Sequence, residues 1–234
     1  MSSLEINALT VNRGALPVVR DVSLKVDKSS ISVLLGANGA GKTTLLEAVS
    51  GIIPVTGGDI LFDGHPIQRQ TAGHRARGGL IHIEEGRSVF KTLTTRENLA
   101  VACHPDASVD EAFELFPELK QREHIAGGLL SGGEQQMLTI ARAILCRPKV
   151  LLIDEMSAGL APVIVQRLMA AVRKLADDGL AILLVEQFAM LALGVADRAY
   201  VLRRGSVVYD GEPKPLLDEP EKLHHLYLGD TETA

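Results

Sequence analysis

The sequence is poor in aromatic residues, and this shortage excludes one broad class of function. No tryptophan occurs in the 234 residues, and aromatic residues make up only 3% of the chain. Few side chains are therefore available on which nucleic-acid bases could stack. The formal net charge of −5 also argues against a broad nucleic-acid surface. We expect small solutes or proteins, and no nucleic acid, as partners.

Cysteine is also scarce, and long apolar runs are missing. Cys103 and Cys146 are far apart and lack metal-ligand spacing, so they are expected to be ordinary buried thiols in a reducing compartment. No apolar run approaches the roughly 20 residues that a membrane-spanning helix needs. The opening MSSLEINALT also lacks the pattern of a secretory signal. We expect a cytoplasmic chain, which can still have a membrane partner.

A complete phosphate-binding loop pattern, GANGAGKT, occupies residues 36–43. It follows the apolar run ISVLL and leads into KTTLLEAVS, in which apolar residues have helical spacing. This order aims backbone N–H groups at a helix N-terminus, where an anion is stabilised. Lys42 is expected to reach the β- and γ-phosphates, Thr43 to bind Mg²⁺ and Thr44 to contact the α-phosphate. The alternative is a glycine-rich turn that only opens a helix. The predicted nucleotide contacts are Gly36, Asn38, Gly39, Ala40, Gly41, Lys42, Thr43 and Thr44.

A second glycine pair lies within LSGGEQQ, at residues 130–136. Ser131 and Glu134 have capping-box spacing, which predicts the start of a helix. Gly132 and Gly133 lower the helix propensity and leave backbone N–H groups open at a positive helix end. The pattern has two interpretations, an ordinary helix start and a second anion-binding site.

An acidic pair follows the apolar run VLLI at residues 150–153. The run predicts a buried strand that delivers Asp154 and Glu155 at its carboxyl end, where adjacent carboxylates fit a Mg²⁺ site. Asp154 would hold the metal, and Glu155 would polarise the water that attacks the γ-phosphate. A surface pair that caps a helix explains the same two residues equally well.

The remaining pattern predicts one α/β core with an antiparallel β portion. LEINALTV, with Leu4, Ile6, Ala8 and Thr10 alternating, and VSLKV resemble antiparallel strands. AYVLRRG and SVVYDG predict a hairpin that turns at Gly205.

From Gly86 to about residue 130 the strand signals stop. Two pairs with capping-box spacing, Thr94 with Glu97 and Ser108 with Glu111, predict helix starts in this stretch. We therefore expect a helical subdomain inserted at about 87–130 into a single domain that spans residues 1–234.

GANGAGKT, LSGGEQQ and LLIDE, in this order, resemble the motifs of an ATP-binding cassette (ABC) ATPase, and the match covers essentially the whole chain. The shorter strings EEGRSVF, LTTRENL, SAGLAP, LLVEQ and LYLG resemble ATP-binding subunits of branched-chain amino-acid importers. Importers of urea and amides share these strings. The resemblance implies a P-loop ATPase cassette that hydrolyses ATP with Mg²⁺ to power a membrane importer.

The resemblance also implies partners and further site residues. Two cassettes, identical or sister chains, would sandwich two ATP molecules, and Ser131, Gly132 and Gly133 would contact the γ-phosphate bound to the partner. Glu85 stands where most cassettes have the glutamine that senses Mg²⁺. The cassette is expected on the inner face of the cell membrane, held by two permease subunits. Those subunits would receive solute from a periplasmic or extracellular binding protein.

Gln187 and Arg13 are among the positions that depart from the usual cassette pattern, together with Met156 and Phe188. Gln187 replaces a histidine that contacts the γ-phosphate in many cassettes; it can donate a hydrogen bond but cannot become cationic near neutral pH. Arg13 stands where an adenine-stacking aromatic residue is expected. A guanidinium can stack on adenine, and a solvated surface arginine is the alternative.

Two other classes of P-loop protein explain the sequence less well. A soluble kinase of small metabolites would not need LSGGEQQ. A cassette that acts on ribosomes or DNA usually resembles two fused cassettes or one split by a coiled coil, whereas this chain has one uninterrupted, acidic cassette.

Overall fold

Two β-sheets organise this computed structural model, which describes residues 2–86 and 88–229. A four-stranded antiparallel sheet has the order β2-β1-β4-β5, and a six-stranded sheet has the order β10-β9-β3-β8-β7-β6. The strands are β1 (Ser2–Arg13), β2 (Leu16–Asp27), β3 (Ser30–Leu35), β4 (Gly57–Phe62), β5 (His65–Pro66), β6 (Leu80–Ile83), β7 (Val150–Asp154), β8 (Ala181–Val185), β9 (Arg198–Arg203) and β10 (Ser206–Gly211).

Helices cover the six-stranded sheet and fill the stretch between β6 and β7. They are α1 (Lys42–Ser50), α2 (Ala72–Arg77), α3 (Thr95–Ala102), α4 (Val109–Leu115), α5 (Pro117–Lys120), α6 (Gly132–Leu145), α7 (Pro162–Asp177), α8 (Ala189–Leu193), α9 (Lys214–Asp218) and α10 (Pro220–Leu228). None of the helices in the described ranges is both long and apolar enough to cross a bilayer.

Parallel pairing fixes the centre of the larger sheet. Strands β6, β7, β8, β3 and β9 are parallel neighbours, and β9 and β10 form the predicted hairpin. Every residue of β7 and of β8 is buried, because helices or the second sheet cover both faces of these strands. The α/β core with an antiparallel portion is therefore confirmed.

The predicted alternation along β1 is wrong after Ile6. The pairing register shifts between Ile6 and Leu9, and Ala8 takes a positive φ of 49° and is exposed. Leu9 and Val11 are buried instead of Ala8 and Thr10. A β-bulge inserts one residue and moves the following side chains to the other face, and a strictly alternating pattern cannot represent this change.

The stretch between β6 and β7 is helical, as predicted. Thr94 and Ser108 are the N-caps of α3 and α4, and both capping boxes are complete. Phe116, which follows α4, is fully buried. Apart from an isolated bridge between Thr94 and Ala126, the described part of this stretch has only helices and turns.

The two cysteines are less buried than expected. Cys103 and Cys146 are free and only half-buried, and their thiols donate to the carbonyls of Ala107 and Ala102. The prediction that they are unpaired thiols is confirmed, whereas the prediction that they are buried is wrong. They lie where α3 ends and α6 ends, at the margin of the helical layer rather than inside it.

Arg75 closes the carboxyl end of α1. Its guanidinium is buried, and Nη1 donates to the carbonyls of Ala48 and Val49 at 2.8 and 2.7 Å. The remaining nitrogens donate to the carbonyls of Gln68 and Gln70. The last carbonyls of a helix have no partner within the helix, so Arg75 supplies the missing donors and fixes α1 from behind.

We predict that Arg75→Met lowers the free energy of unfolding by about 2–4 kcal/mol, because several buried carbonyls lose a charged donor at once. Arg77→Met is the matched control, since Arg77 is an exposed arginine on the same helix; it should change stability by less than about 0.5 kcal/mol. Urea denaturation measures the free energy of unfolding of both variants. Equal losses in the two variants would contradict this role of Arg75.

Candidate active site

The loop between β3 and α1 has the predicted strand–loop–helix geometry. Strand β3 ends at Leu35, and α1 begins at Lys42 after an N-cap glycine, Gly41, with a φ of 108°. A Cβ on Gly36 would lie 2.4 Å from the Leu202 carbonyl oxygen of β9. Only glycine lets the loop leave the sheet this close to the neighbouring strand.

The Lys42 ammonium lies inside this loop. Its Nζ donates to the carbonyls of Gly36 and Ala37 at 2.9 and 3.3 Å and lies 3.7 Å from Glu155 Oε1. Only 7% of the side chain is exposed. The loop thus holds a cation close to its own backbone, where it can attract a phosphate group.

Half of the predicted site residues line one cleft of about 320 Å³. The residues that line it are Val18, Asn38, Gly39, Gly41, Lys42, Thr43, Thr44, Glu85 and Glu155. Apart from Val18 of β2, which was not predicted, these residues come from three separate segments of the sequence. The parallel sheet brings the segments together, because β3, β6 and β7 end at the same edge.

Asp154 lies beneath this cleft as a buried carboxylate. It is 1% exposed, and neither of its oxygens has a hydrogen-bond partner within the described chain. Burial raises the pKa of Asp154 to about 6. The nearby Thr43 hydroxyl opposes this rise, whereas the carboxylates of Glu155 and Glu85 add to it.

This donor set fits Mg²⁺ rather than a metal held entirely by protein. The described residues contain no group of three histidine, cysteine or acidic side chains arranged to hold a metal ion. Mg²⁺ usually takes one or two protein ligands and completes its shell with phosphate oxygens and water. The unpartnered carboxylate of Asp154 beside the Thr43 hydroxyl matches that requirement.

Glu155 has an uncommon backbone conformation for a bulky residue. Its φ is 45°, and its N–H donates to the Val185 carbonyl at 3.0 Å. Its side chain is 18% exposed and faces the cleft. Backbone strain of this kind persists only where the surrounding structure enforces it, and it is frequent in active sites.

Gln187 and the LSGGEQQ element are not among the described residues that line the cleft. Gln187 is exposed and is the second residue after the end of β8. Ser131 is the N-cap of α6 and forms the predicted capping box with Glu134. A Cβ on Gly133 would lie 2.8 Å from Ile164 of α7, so close helix packing, which no local sequence pattern signals, also requires a glycine here.

Arg13 lies beside α1 rather than in the cleft. Its guanidinium forms an ion pair with Glu47, and its Nε lies 3.4 Å from the Thr44 hydroxyl. Nearly half of the side chain, 48%, is exposed. Arg87 of the EEGRSVF string lies outside the described residues.

Two contacts near the site were not predicted. Ser157, the third residue after β7, and Glu186, the first residue after β8, form a buried pair; a carboxylate at the end of the otherwise apolar LAILLVE was the available signal. Tyr227 of α10 makes a hydrogen bond with the Gly36 backbone, which partly offsets the burial that raises its pKa to about 12. A tyrosine so distant in sequence carries no local signal for this contact.

If the Arg13 guanidinium stacks on adenine, a contact that contributes about 0.5–2 kcal/mol, we predict that Arg13→Ala weakens ATP binding roughly two- to thirtyfold. Glu47→Gln, which keeps the guanidinium but removes its ion-pair partner, should bind ATP as the unmodified chain does. Calorimetric titration with ATP and with inorganic triphosphate, which has no adenine, separates base stacking from phosphate contact. Unchanged ATP affinity in Arg13→Ala would make Arg13 a surface residue paired with Glu47.

Comparison with known proteins identifies relatives along the whole chain. A family model described as ABC transporter matches residues 19–158. The chain is 40% identical over 232 residues to BraG, a high-affinity branched-chain amino acid transport ATP-binding protein of Pseudomonas aeruginosa. That alignment covers 97% of this chain and 99% of the relative.

Of two other relatives, one has the same printed function as BraG and one has a different function. The probable branched-chain amino acid transport ATP-binding protein LivF of Archaeoglobus fulgidus is 36% identical, with 92% of this chain and 93% of the relative covered. The lipopolysaccharide export system ATP-binding protein LptB of Escherichia coli is 35% identical, with 91% of each chain covered.

Solved structures match the fold over nearly the same length. A nucleotide-free ATP-binding cassette of an ABC transporter superposes with a TM-score of 0.85 at 25% identity, covering 98% of this chain and 100% of the other. A cassette in its ADP conformation has a TM-score of 0.86 at the same identity and coverage.

Proposed function

The chain belongs to the ABC transporter family and is an ATPase subunit, and we propose that the transporter it powers imports branched-chain amino acids. The assignment of this cargo is supported by the 40% identity to BraG, which extends over 97% of the chain. The relative of lipopolysaccharide export is less similar, at 35%.

Lys42 and the loop backbone would bind the triphosphate. The Lys42 ammonium now donates to two loop carbonyls, and phosphate oxygens would replace these acceptors when ATP enters the cleft. The amides at the start of α1 point toward the same place and favour negative charge. Asn38, Gly39, Ala40 and Gly41 supply the turn that brings these amides together.

Thr43 and Asp154 would hold Mg²⁺, with Glu85 at the rim of the same cleft. When bound, the metal neutralises charge on the β- and γ-phosphates. The fit rests on the Asp154 carboxylate, which is buried beside the Thr43 hydroxyl and has no partner within the described chain.

Glu155 would act as the general base that orients the attacking water. Its carboxylate lies 3.7 Å from the Lys42 ammonium, so it faces the place where the γ-phosphate would be bound. Gln187, exposed after β8, would donate a hydrogen bond to the γ-phosphate without carrying charge.

The second anion-binding helix end would serve a partner cassette. Ser131, Gly132 and Gly133 are not among the described residues that line the cleft of their own chain, which is consistent with their use across a dimer of identical or sister chains. Two membrane permeases would hold this dimer at the inner face of the membrane, and an external solute-binding protein would deliver the amino acid.

We predict that Glu155→Gln retains ATP affinity within about threefold and lowers steady-state hydrolysis by about 100-fold or more, because removing a general base has effects of this size. Glu114→Gln, which neutralises an exposed carboxylate of α4, is the control and should hydrolyse ATP normally. Equilibrium binding and phosphate release measure the two effects. Near-normal turnover in Glu155→Gln would refute the role of Glu155.

The cargo is tested by uptake of labelled leucine, isoleucine and valine in a strain that lacks this chain. We expect uptake to be lost, to return with the unmodified chain and not to return with Glu155→Gln. Purification of the complex from detergent-solubilised membranes should recover permease subunits and identify the partner cassette. If uptake of these amino acids were normal but uptake of urea or amides were lost, the proposed cargo would be wrong, and the transporter would be a urea or amide importer.

A further inference from the structure

A buried carboxylate, Glu186, lies behind the proposed catalytic residue. Glu186 and Ser157 are each 1% exposed. The Ser157 hydroxyl donates to Glu186 Oε2, and the Gln187 N–H donates to the same oxygen at 3.2 Å. Glu186 Oε1 is buried without a hydrogen-bond partner in the described ranges.

This contact extends the pairing of β7 and β8 past the ends of both strands. Asp154 and Val185 are the last paired residues, and the Glu155 N–H donates to the Val185 carbonyl. Ser157 and Glu186 make the next connection between the same two chain segments. Glu155 is therefore held on both sides, by the strand before it and by the buried pair after it.

The backbone conformation of Glu155 explains why the Ser157–Glu186 connection is needed. A φ of 45° is unfavourable for a glutamate, and such a conformation relaxes unless the neighbouring residues prevent it. Relaxation would turn the Glu155 side chain away from Lys42. The Val185 contact alone fixes the amide of Glu155, whereas Ser157 fixes the chain that leaves it.

Burying a carboxylate is unfavourable, and an apolar side chain or an amide would fill this position more favourably. Burial raises the pKa of Glu186, and hydrogen bonds from Ser157 and from the Gln187 N–H partly offset that rise. The carboxylate thus accepts donors from both loops that leave β7 and β8, which an apolar side chain could not do.

We propose that Glu186 is a positioning residue for ATP hydrolysis: through Ser157 it holds the backbone of Glu155 so that the Glu155 carboxylate faces Lys42. The proposal rests on the role proposed above for Glu155. It also assigns a role to Ser157, the first residue of SAGLAP, and to Glu186, the glutamate of LLVEQ; the family resemblance gave neither residue a role.

The kinetic test compares Glu186→Ala, Ser157→Ala and the double variant in the full-length chain assembled with the subunits that co-purify with it. Each single variant should lower kcat at least about tenfold, with the KM for ATP within about threefold, because binding does not use the pair. The double variant should be no slower than Glu186→Ala, since the two changes remove the same interaction.

Ser32→Ala is the matched control: Ser32 is 1% exposed, and its hydroxyl donates to the Lys25 carbonyl on β2. Its kcat should be unchanged.

Hydrogen exchange provides a readout that does not depend on the role of Glu155. Glu186→Ala should accelerate amide exchange at residues 155–157 at least about tenfold, while the amides of β3 stay protected. Glu186→Gln keeps the size and one acceptor oxygen, so it should restore both kcat and protection to within about threefold. If Glu186→Ala does not fold, Ser157→Ala, which removes the donor of the same interaction, replaces it in the exchange measurement.

Three results would overturn the proposal: unchanged kcat in Glu186→Ala, effects of the two single variants that multiply in the double variant, or slow kcat with full protection of residues 155–157. If Glu155→Gln retained turnover, the role of Glu155 would fail by itself. Accelerated exchange in Glu186→Ala would in that case still demonstrate the structural connection between the two loops.

Discussion

Parallel pairing of β3, β8 and β7 is the constraint on which the site depends. The three strands are adjacent, so the segments that follow them leave the sheet at one edge. These segments carry the phosphate loop, Gln187 and the Asp154–Glu155 pair. A ligand site at the carboxyl edge of such a sheet follows from topology, whatever the loops contain.

Electrostatic balance at that edge would couple the binding of a nucleotide to the binding of a divalent cation. Lys42 faces Glu155, while Glu85 lies on the rim and Asp154 lies beneath the cleft. A triphosphate would add further negative charge to a region that already contains three carboxylates and is only partly open to water. At low effective dielectric this repulsion is large, and a bound divalent cation would offset it.

The motif-bearing parts of the site could be predicted because their signals are local. GANGAGKT, the capping box at Ser131 and the apolar strand before Asp154 each lie within a few residues, so chemistry and structure are specified together. Ala8, Gly133 and Glu186 show where this kind of prediction stops. A bulge depends on the partner strand, the need for glycine at Gly133 depends on Ile164 of another helix, and the role of Glu186 depends on a serine in a different loop.

The order of contacts along the chain has a consequence for biosynthesis. The phosphate loop follows β3 near the start of the sequence, but both strands beside β3 come from the last third of the chain. Tyr227, which contacts the backbone of Gly36, comes later still. A ribosome therefore exposes the loop long before it has synthesised the segments that shape it. The phosphate loop can therefore take its native geometry only after these later segments have been synthesised, and a nascent chain that carries GANGAGKT without them cannot hold the loop in that geometry.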